Sequence, residues 1–472
     1  MIQSGEKIID RGEIVTPQIY NILNSLKKTT EETSGTKSQQ NWVILGELIL
    51  IAVFIFSFMT YLIFFRPREY NDRKNITFML LMITIFSVLT GVAVDYSLFN
   101  VYIIPYVIPT IMIRTFIDSR TAMTAHLTTV LICSFMVPFP AEFLTLQIAA
   151  GFMCIFSLKD LSERSQLIKS SFFILISYIV VYIGYVLIQD GGFSDTQNFE
   201  TIREHSLMML YFGINFIFVM FTYLLVYMCE KVFGFISNVS MIELSNTNKP
   251  LLQKLSEVAP GTFQHSIQVS NIAGAVAQRI GANASLVRTG ALYHDIGKMT
   301  NPIFFTENQA PGMNPHAGLS YKESARIIIN HVTEGVKIAH KYNLPQQIID
   351  FIETHHGTGT VKYFYYSYKN EHPDEEVDPV DFSYPGPNPF SKETAILMMA
   401  DTVEAASRSL SEYTEETISN LVEKLIDDKV SDGLLKNAPI TFKDIEIAKG
   451  IFKEKLTTIY HSRIKYPELK KQ

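Results

Sequence analysis

Cysteine is scarce. The 472 residues hold three, Cys133, Cys154 and Cys229, each inside an apolar run, so no disulfide framework is implied. No lysine- or arginine-rich tract occurs, and 46 acidic side chains outnumber 40 basic ones. That balance argues against a dedicated surface for a nucleic-acid polymer. The first 40 residues lack an apolar core, which excludes a signal peptide there. From Thr262 onward no strand-type alternation is sustained, so that half reads as all-α.

What the chain does have is apolar sequence, unevenly spread. Its length allows two or three domains. Residues 1–41 are polar, with a helix expected over 17–28 and a linker over 34–40. Residues 42–230 hold seven apolar segments, near 42–65, 76–94, 99–117, 121–139, 143–158, 168–188 and 207–229. A membrane span needs about 20 residues, with about 17 tolerable. The third and fifth segments are short and bounded or interrupted by Pro105, Pro109, Pro138 and Pro140, so a re-entrant or core-packed segment is the alternative there. Arg66, Arg68, Arg73, Lys74, Arg114, Arg120, Lys159, Arg164 and Lys169 fall in three of the connecting loops. Asp95, Glu142, Asp190, Asp195, Glu200 and Glu204 fall in the others, with Arg203 as their one strong base. The positive-inside rule then predicts seven spans, an outside N-terminus and a cytoplasmic C-terminal domain. Within the spans His126 and Gln147 are the notable polar groups. His126 lies near a cytoplasmic end, where it either snorkels or serves a ligand.

Residues 231–262 form a linker. A helix is expected to continue over 233–244 and to break at Ser245-Asn246-Thr247-Asn248-Lys249-Pro250. A short amphipathic helix over 251–258 follows, stopped by Pro260-Gly261. This linker is the route by which the membrane region could influence the soluble one.

The chemistry lies in 263–472, around Tyr293-His294-Asp295-Ile296-Gly297-Lys298. A histidine and an aspartate in succession offer a nitrogen and an oxygen ligand one residue apart. More such residues follow on predicted helices. His265 sits near the start of one that Gly281 stops. His331 lies about three turns into a helix opened by the capping box Ser320-Tyr321-Lys322-Glu323. His355 and His356 close another, and Asp401 lies in one preceded by Ser391. Seven ligand-type side chains on five helices suffice for two metals. Imidazole with carboxylate suits Mn, Fe or Zn better than Mg or Ca, and Asp295 could bridge. Adjacent helical side chains diverge by about 100°, so His355 and His356 converge best at a helix end. His340, His372 and His461 read as surface or locally bonded and His205 as part of an extracellular loop, while His316 could line the site.

The order His, His-Asp, His, His-His, Asp resembles the HD-domain phosphohydrolases in their two-metal form. The surrounding Ala259-Pro260-Gly261-Thr262-Phe263-Gln264-His265-Ser266, Asn330-His331-Val332-Thr333-Glu334-Gly335, His355-His356-Gly357-Thr358 and Tyr384-Pro385-Gly386-Pro387 resemble one branch in particular. That branch is the seven-transmembrane HD-domain cyclic-di-AMP phosphodiesterases of bacteria. The resemblance covers essentially the whole chain. It implies a seven-helix transmembrane bundle followed by a cytoplasmic all-helical HD domain in the bacterial cell membrane. It also implies two divalent transition-metal ions, with Mn or Fe favoured. The implied partners are cyclic di-AMP and the lipid bilayer, with no nucleic-acid polymer, and a homodimer is left open. Family members carry an anchor and a large extracellular domain before the spans. Only residues 4–26 resemble the end of that domain, so the chain reads as N-terminally truncated.

Carried over residue by residue, His265, His294, Asp295 and Asp401 would hold one metal, and Asp295, His331, His355 and His356 the other. Gln264 stands where relatives have a second histidine, which leaves that ligand role to His265. Lys298, one turn after His294, is expected to meet a non-bridging phosphate oxygen, with Arg408 a further phosphate candidate. Tyr363, Phe364, Tyr365, Tyr366, Phe382 and Tyr384 offer faces for a purine, with Tyr365 chosen as a base contact. Hydrolysis of cyclic di-GMP is the nearest alternative, but the Gly-Tyr-Pro motif of enzymes for that substrate is missing after His356. A mononucleotide phosphohydrolase and a nucleotide-binding receptor are the others. A receptor would have lost ligands, and none is missing.

Overall fold

The computed structural model describes residues 8–9, 15–33, 37–96, 98–158, 164–189, 199–310 and 312–460. Ser34-Gly35-Thr36, Lys159, Asp190, Asp195 and His461 lie outside the described residues, as does Ser4-Gly5-Glu6-Lys7 at the N-terminal end. The chain divides near residue 226 into two compact units, each helical. Among the described residues the one β-type contact is an isolated bridge between Thr360 and Ser383.

In the first unit each of the seven apolar segments is helical. Five helices are long and apolar enough to cross a membrane: Asn41–Phe65, Arg73–Asp95, Pro140–Ser157, Ser165–Gln189 and Ile202–Phe233, the last with a turn at Phe221. The third and fourth segments fall short of that length. The third is a single turn, Val101–Ile103, and a ten-residue helix, Val107–Phe116; the fourth is the helix Ser119–Ser134. Their side chains point inward, and all of 107–113 is buried. Pro105 explains the break, because the carbonyls before it lose their helical partners. The amide nitrogen of Asn215 replaces those partners, donating to Tyr102 O and Ile104 O at 3.1 and 3.0 Å. Thr90 and Tyr106 share a hydrogen bond of 2.7 Å, and the Arg66–Asp118 ion pair closes one end at 3.1 Å. Such polar links hold helices together where apolar packing gains nothing over lipid. His126 does not snorkel. It is buried, its Nε2–H donates to Gln147 O at 2.8 Å, and its Nδ1 meets Thr110 Oγ1 at 2.8 Å. The ring lies where a Cβ on residue 151 would stand, which accounts for Gly151.

The second unit begins with the linker, and here the expected helix over 233–244 is interrupted. It stops at Phe233, Gly234 takes φ +68°, and Ser237 caps a new helix, Asn238–Leu244. Gly234 can turn left-handed because it has no Cβ to clash. Pro250 opens the helix Pro250–Val258, which ends just before Pro260 as expected, and Pro260 in turn opens Pro260–Arg279. Proline suits a first turn, where its missing N–H has no partner to lose. Leu244 O then accepts from Tyr293 Oη at 2.8 Å, and Met241 O from Thr289 Oγ1 at 3.2 Å. The linker thus docks on the residue just before His294.

The core of this unit is built around Lys392–Ser407. That helix is buried on nearly every side, with 394–401, Val403, Glu404 and Ser407 all inside. A helix apolar all round belongs at a domain centre. Ile396, Leu397 and Met399 pack with Val269, Ile272 and Val276 of Pro260–Arg279 and with Phe452 and Leu456 of Phe442–Ile459. Fully burying each such side chain is worth about 1.5–3 kcal/mol. The same buried face carries His265, four residues before Val269.

Candidate metal centre

Each ligand-type side chain reaches the centre because a local signal ends or orients its helix. Ala284–Tyr293 stops at His294, and a tight turn over Ile296–Thr300 follows. His294 and Asp295 therefore stand at a helix end rather than mid-helix. The turn passes so close to Tyr321–Lys341 that a Cβ on residue 297 would overlap His331 O, which requires Gly297. The capping box at Ser320 and Glu323 forms as expected and sets the register of His331. Gln346–Thr354 ends at the histidine pair. Gly357, at φ +55°, turns the chain there so that both rings face inward. Asn388 Oδ1 braces that turn by accepting from Thr358 N at 2.8 Å. Ser391 caps the helix that carries Asp401.

The seven side chains meet as two groups, His265-His294-Asp295-Asp401 and His331-His355-His356. Within each, the ligand atoms lie within 4.8 Å of one another. Asp295 joins them. Its Oδ2 is 3.2 Å from His294 Nε2 and 3.6 Å from His265 Nε2; its Oδ1 is 3.3 Å from His331 Nε2 and 3.6 Å from His355 Nε2. One carboxylate thus offers one oxygen to each group.

The donor set fits metal ions on three observations. His294 Nδ1–H donates to Ala291 O, His355 Nδ1–H to Ile352 O and His331 Nδ1–H to Ile328 O. His265 Nδ1 pairs with Glu404 Oε2. Each such bond fixes the tautomer and aims an Nε2 lone pair at the centre, as outer partners of metal-bound histidines do. Second, His331 Nε2 and His355 Nε2 face each other at 3.1 Å, lone pair to lone pair, an arrangement that calls for a cation between them. Third, His294 Nε2 and both Asp295 oxygens are buried without a hydrogen bond of proper geometry, although Lys298 Nζ lies 2.7 Å from Oδ2. Buried polar atoms are rarely left so.

The electrostatics separate the residues. Burial works against charge on Asp295, but His294 and Lys298 outweigh it and hold its carboxyl well below the usual range. Asp401 is held low in the same way, with His265 and His294 opposing its burial. Burial also lowers His294, yet Asp295 and Asp401 lift it to about 10, so the two carboxylates draw a positive charge, a proton or a metal ion, to its Nε2. His355 and His356 are pushed down by burial and by neighbouring imidazoles, so both stay neutral, the form that binds metal.

The remaining predicted contacts divide. Lys298 Nζ lies between Asp295 and Glu307 Oε1, the latter at 2.9 Å, and over the Phe305 ring. Arg408 is turned to Glu404, its Nη2 2.6 Å from Oε1, so it neutralises the acid behind His265 and is not directed at the metal groups. Tyr365 packs against Phe382 in a satellite cluster and does not line the cavity described next. Tyr384 is the aromatic that reaches the centre, stacked on His356 with centroids 4.2 Å apart. A cavity of about 980 Å³ opens beside Glu307, with Phe304, Phe305, His316, Tyr363 and Phe364 in its wall. His316 thus lines a hollow next to the centre rather than joining the ligands.

Glu307 and Glu404 were not legible as site residues. Glu307 sits in an irregular segment with no periodicity to place it. Glu404 did carry a signal, since it lies one turn after Asp401 on the same helix face.

Two family models fall on the chain in tandem. Residues 41–237 match the 7TM receptor with intracellular HD hydrolase, and residues 262–406 match the HD domain. The cyclic-di-AMP phosphodiesterase PgpH of Bacillus subtilis is 32% identical over 486 aligned residues, covering 100% of this chain and 66% of the relative. PgpH of Listeria monocytogenes is 38% identical over 323, covering 68% of this chain and 43% of the relative. The chain therefore spans less than two thirds of the length of either. Among solved structures, the Listeria PgpH HD domain in complex with cyclic di-AMP shares 44% identity at a TM-score of 0.44, covering 46% of this chain and all of that one. The chain belongs to the seven-transmembrane HD-domain family, an apolar helical region followed by an HD domain of a metal-dependent hydrolase family.

Proposed function

We propose that this protein is a membrane-bound, metal-dependent phosphodiesterase that hydrolyses cyclic di-AMP to linear 5′-pApA. The observation that carries the reading is Asp295, whose two oxygens face two separate groups of ligand-type side chains. The two curated relatives named above are both called cyclic-di-AMP phosphodiesterases, which supports the substrate. Two ions of the Mn or Fe kind, one held by His265, His294, Asp295 and Asp401 and one by Asp295, His331, His355 and His356, would activate water and neutralise charge at phosphorus. Glu404 accepts a hydrogen bond from His265 Nδ1–H, which keeps the proton on Nδ1 and leaves Nε2 free to bind. Lys298, steadied by Glu307, is positioned to meet a non-bridging phosphate oxygen. The aromatic cavity beside Glu307 offers faces on which a purine stacks, worth about 1–3 kcal/mol per base.

Adenine presents an amino donor where guanine presents a carbonyl acceptor, and a site that bonds one edge rejects the other. Initial rates on cyclic di-AMP and cyclic di-GMP at equal concentration test the substrate. A preference of at least about a hundredfold for the adenine form is expected, and equal rates rule out adenine selectivity.

The loop charges further support a cytoplasmic second unit. In a cysteine-free background, Ala141→Cys is expected to react with an impermeant maleimide from outside intact cells and Arg120→Cys is not. The reverse pattern would overturn the orientation.

A further inference from the structure

We propose that Lys429 binds the second phosphodiester of the cyclic dinucleotide, the one that is not being cut. The proposal rests on the substrate reading above. Lys429 lies in the last turn of Glu415–Ser431 and is half-buried, with no hydrogen bond and no ion pair within 4 Å among the described residues. The acids beside it, Asp428 and Asp432, face Lys362 instead, at 3.9 and 3.3 Å. The end of its helix lies against the histidine-pair turn. Leu434 N donates to Lys429 O at 3.2 Å, and Leu434 Cδ1 stands 3.8 Å from where a Cβ on Gly359 would lie. Gly359 N donates to His356 O at 3.0 Å. Burial pulls the Lys429 ammonium below the ordinary lysine range, and Asp401 is the strongest influence against that.

An ammonium taken partly out of water without a partner is costly, and a site that keeps one is arranged for an anion. Lys298, held by Asp295 and Glu307, serves the phosphodiester that lies on the ligand cluster. A cyclic dinucleotide carries two phosphodiesters in one macrocycle. Only one can lie on the ligand cluster, so the other lies to its flank, where Lys429 stands with its neighbouring acids turned to Lys362.

The test compares wild type, Lys429→Met and Lys429→Arg as full chains in detergent with Mn²⁺, on cyclic di-AMP and on bis(p-nitrophenyl) phosphate, which has one phosphodiester. For Lys429→Met, KM for cyclic di-AMP is expected to rise about tenfold to a hundredfold, the worth of one charged hydrogen bond, with kcat changed by less than about threefold. Its kcat/KM on the single-diester probe is expected to fall much less, and Lys429→Arg to recover most of the loss. Equal losses on both substrates, or an unchanged KM, would overturn the proposal. Wild type that cleaves the probe but not cyclic di-AMP would remove the substrate reading itself, before any variant is compared.

Discussion

Replacing Asp295 by Asn is expected to lower turnover by roughly a hundredfold to a thousandfold while the protein stays folded. The carboxylate gives an anionic oxygen to each group of imidazoles, at 3.2 Å to His294 on one side and 3.3 Å to His331 on the other. Asparagine keeps the shape but has one neutral oxygen and an NH₂ group. That NH₂ would donate to an Nε2 lone pair and occupy it in place of a cation. Metal content should therefore drop from two ions per chain to one or none. The fold should survive, because the surrounding helices are held by an apolar core that Asp295 does not belong to. Elemental analysis, the turnover rate and a circular-dichroism melt check this together. An Asp295→Asn protein that keeps both ions and near-native turnover would show that Asp295 is not a bridge.

His331→Ala is the complementary case. It removes the nitrogen that faces His355 Nε2 at 3.1 Å but touches none of His265, His294 or Asp401. One ion should be lost and the other retained, with activity down by about a hundredfold or more. Free imidazole, which fits the space left by the ring, should restore part of it. Loss of both ions would mean that the two groups act as a single site. Full activity with both ions bound would remove His331 from the ligand set.

The side chains that meet at the centre could be placed from the chain because the signals that position them are local. A capping residue, a helix end and a left-handed glycine each act over a few residues, and together they set the direction of His331, His355 and His356. What escaped depends on where side chains turn after packing. Tyr365 and Tyr384 are both aromatic residues of the same insertion, yet one packs under Phe382 and the other stacks on His356. Nothing in residue type or spacing separates them. Arg408 turns toward Glu404 instead of the phosphate expected for it, through an i,i+4 pairing on one helix. The membrane region shows the same limit. Seven apolar segments are visible in the chain, but the break before Pro105 is completed by Asn215, more than a hundred residues away, which donates to Tyr102 O and Ile104 O.

The most direct test of a dinuclear centre is metal content measured together with cleavage. The protein is purified without chelator, its metal per chain is determined, and hydrolysis of cyclic di-AMP is followed before and after chelation and re-addition of Mn²⁺ or Fe²⁺. About two ions per chain are expected, with cleavage lost on their removal and regained on their return. Cleavage that persists in metal-free protein, or full activity with a single ion bound, would contradict a centre bridged by Asp295.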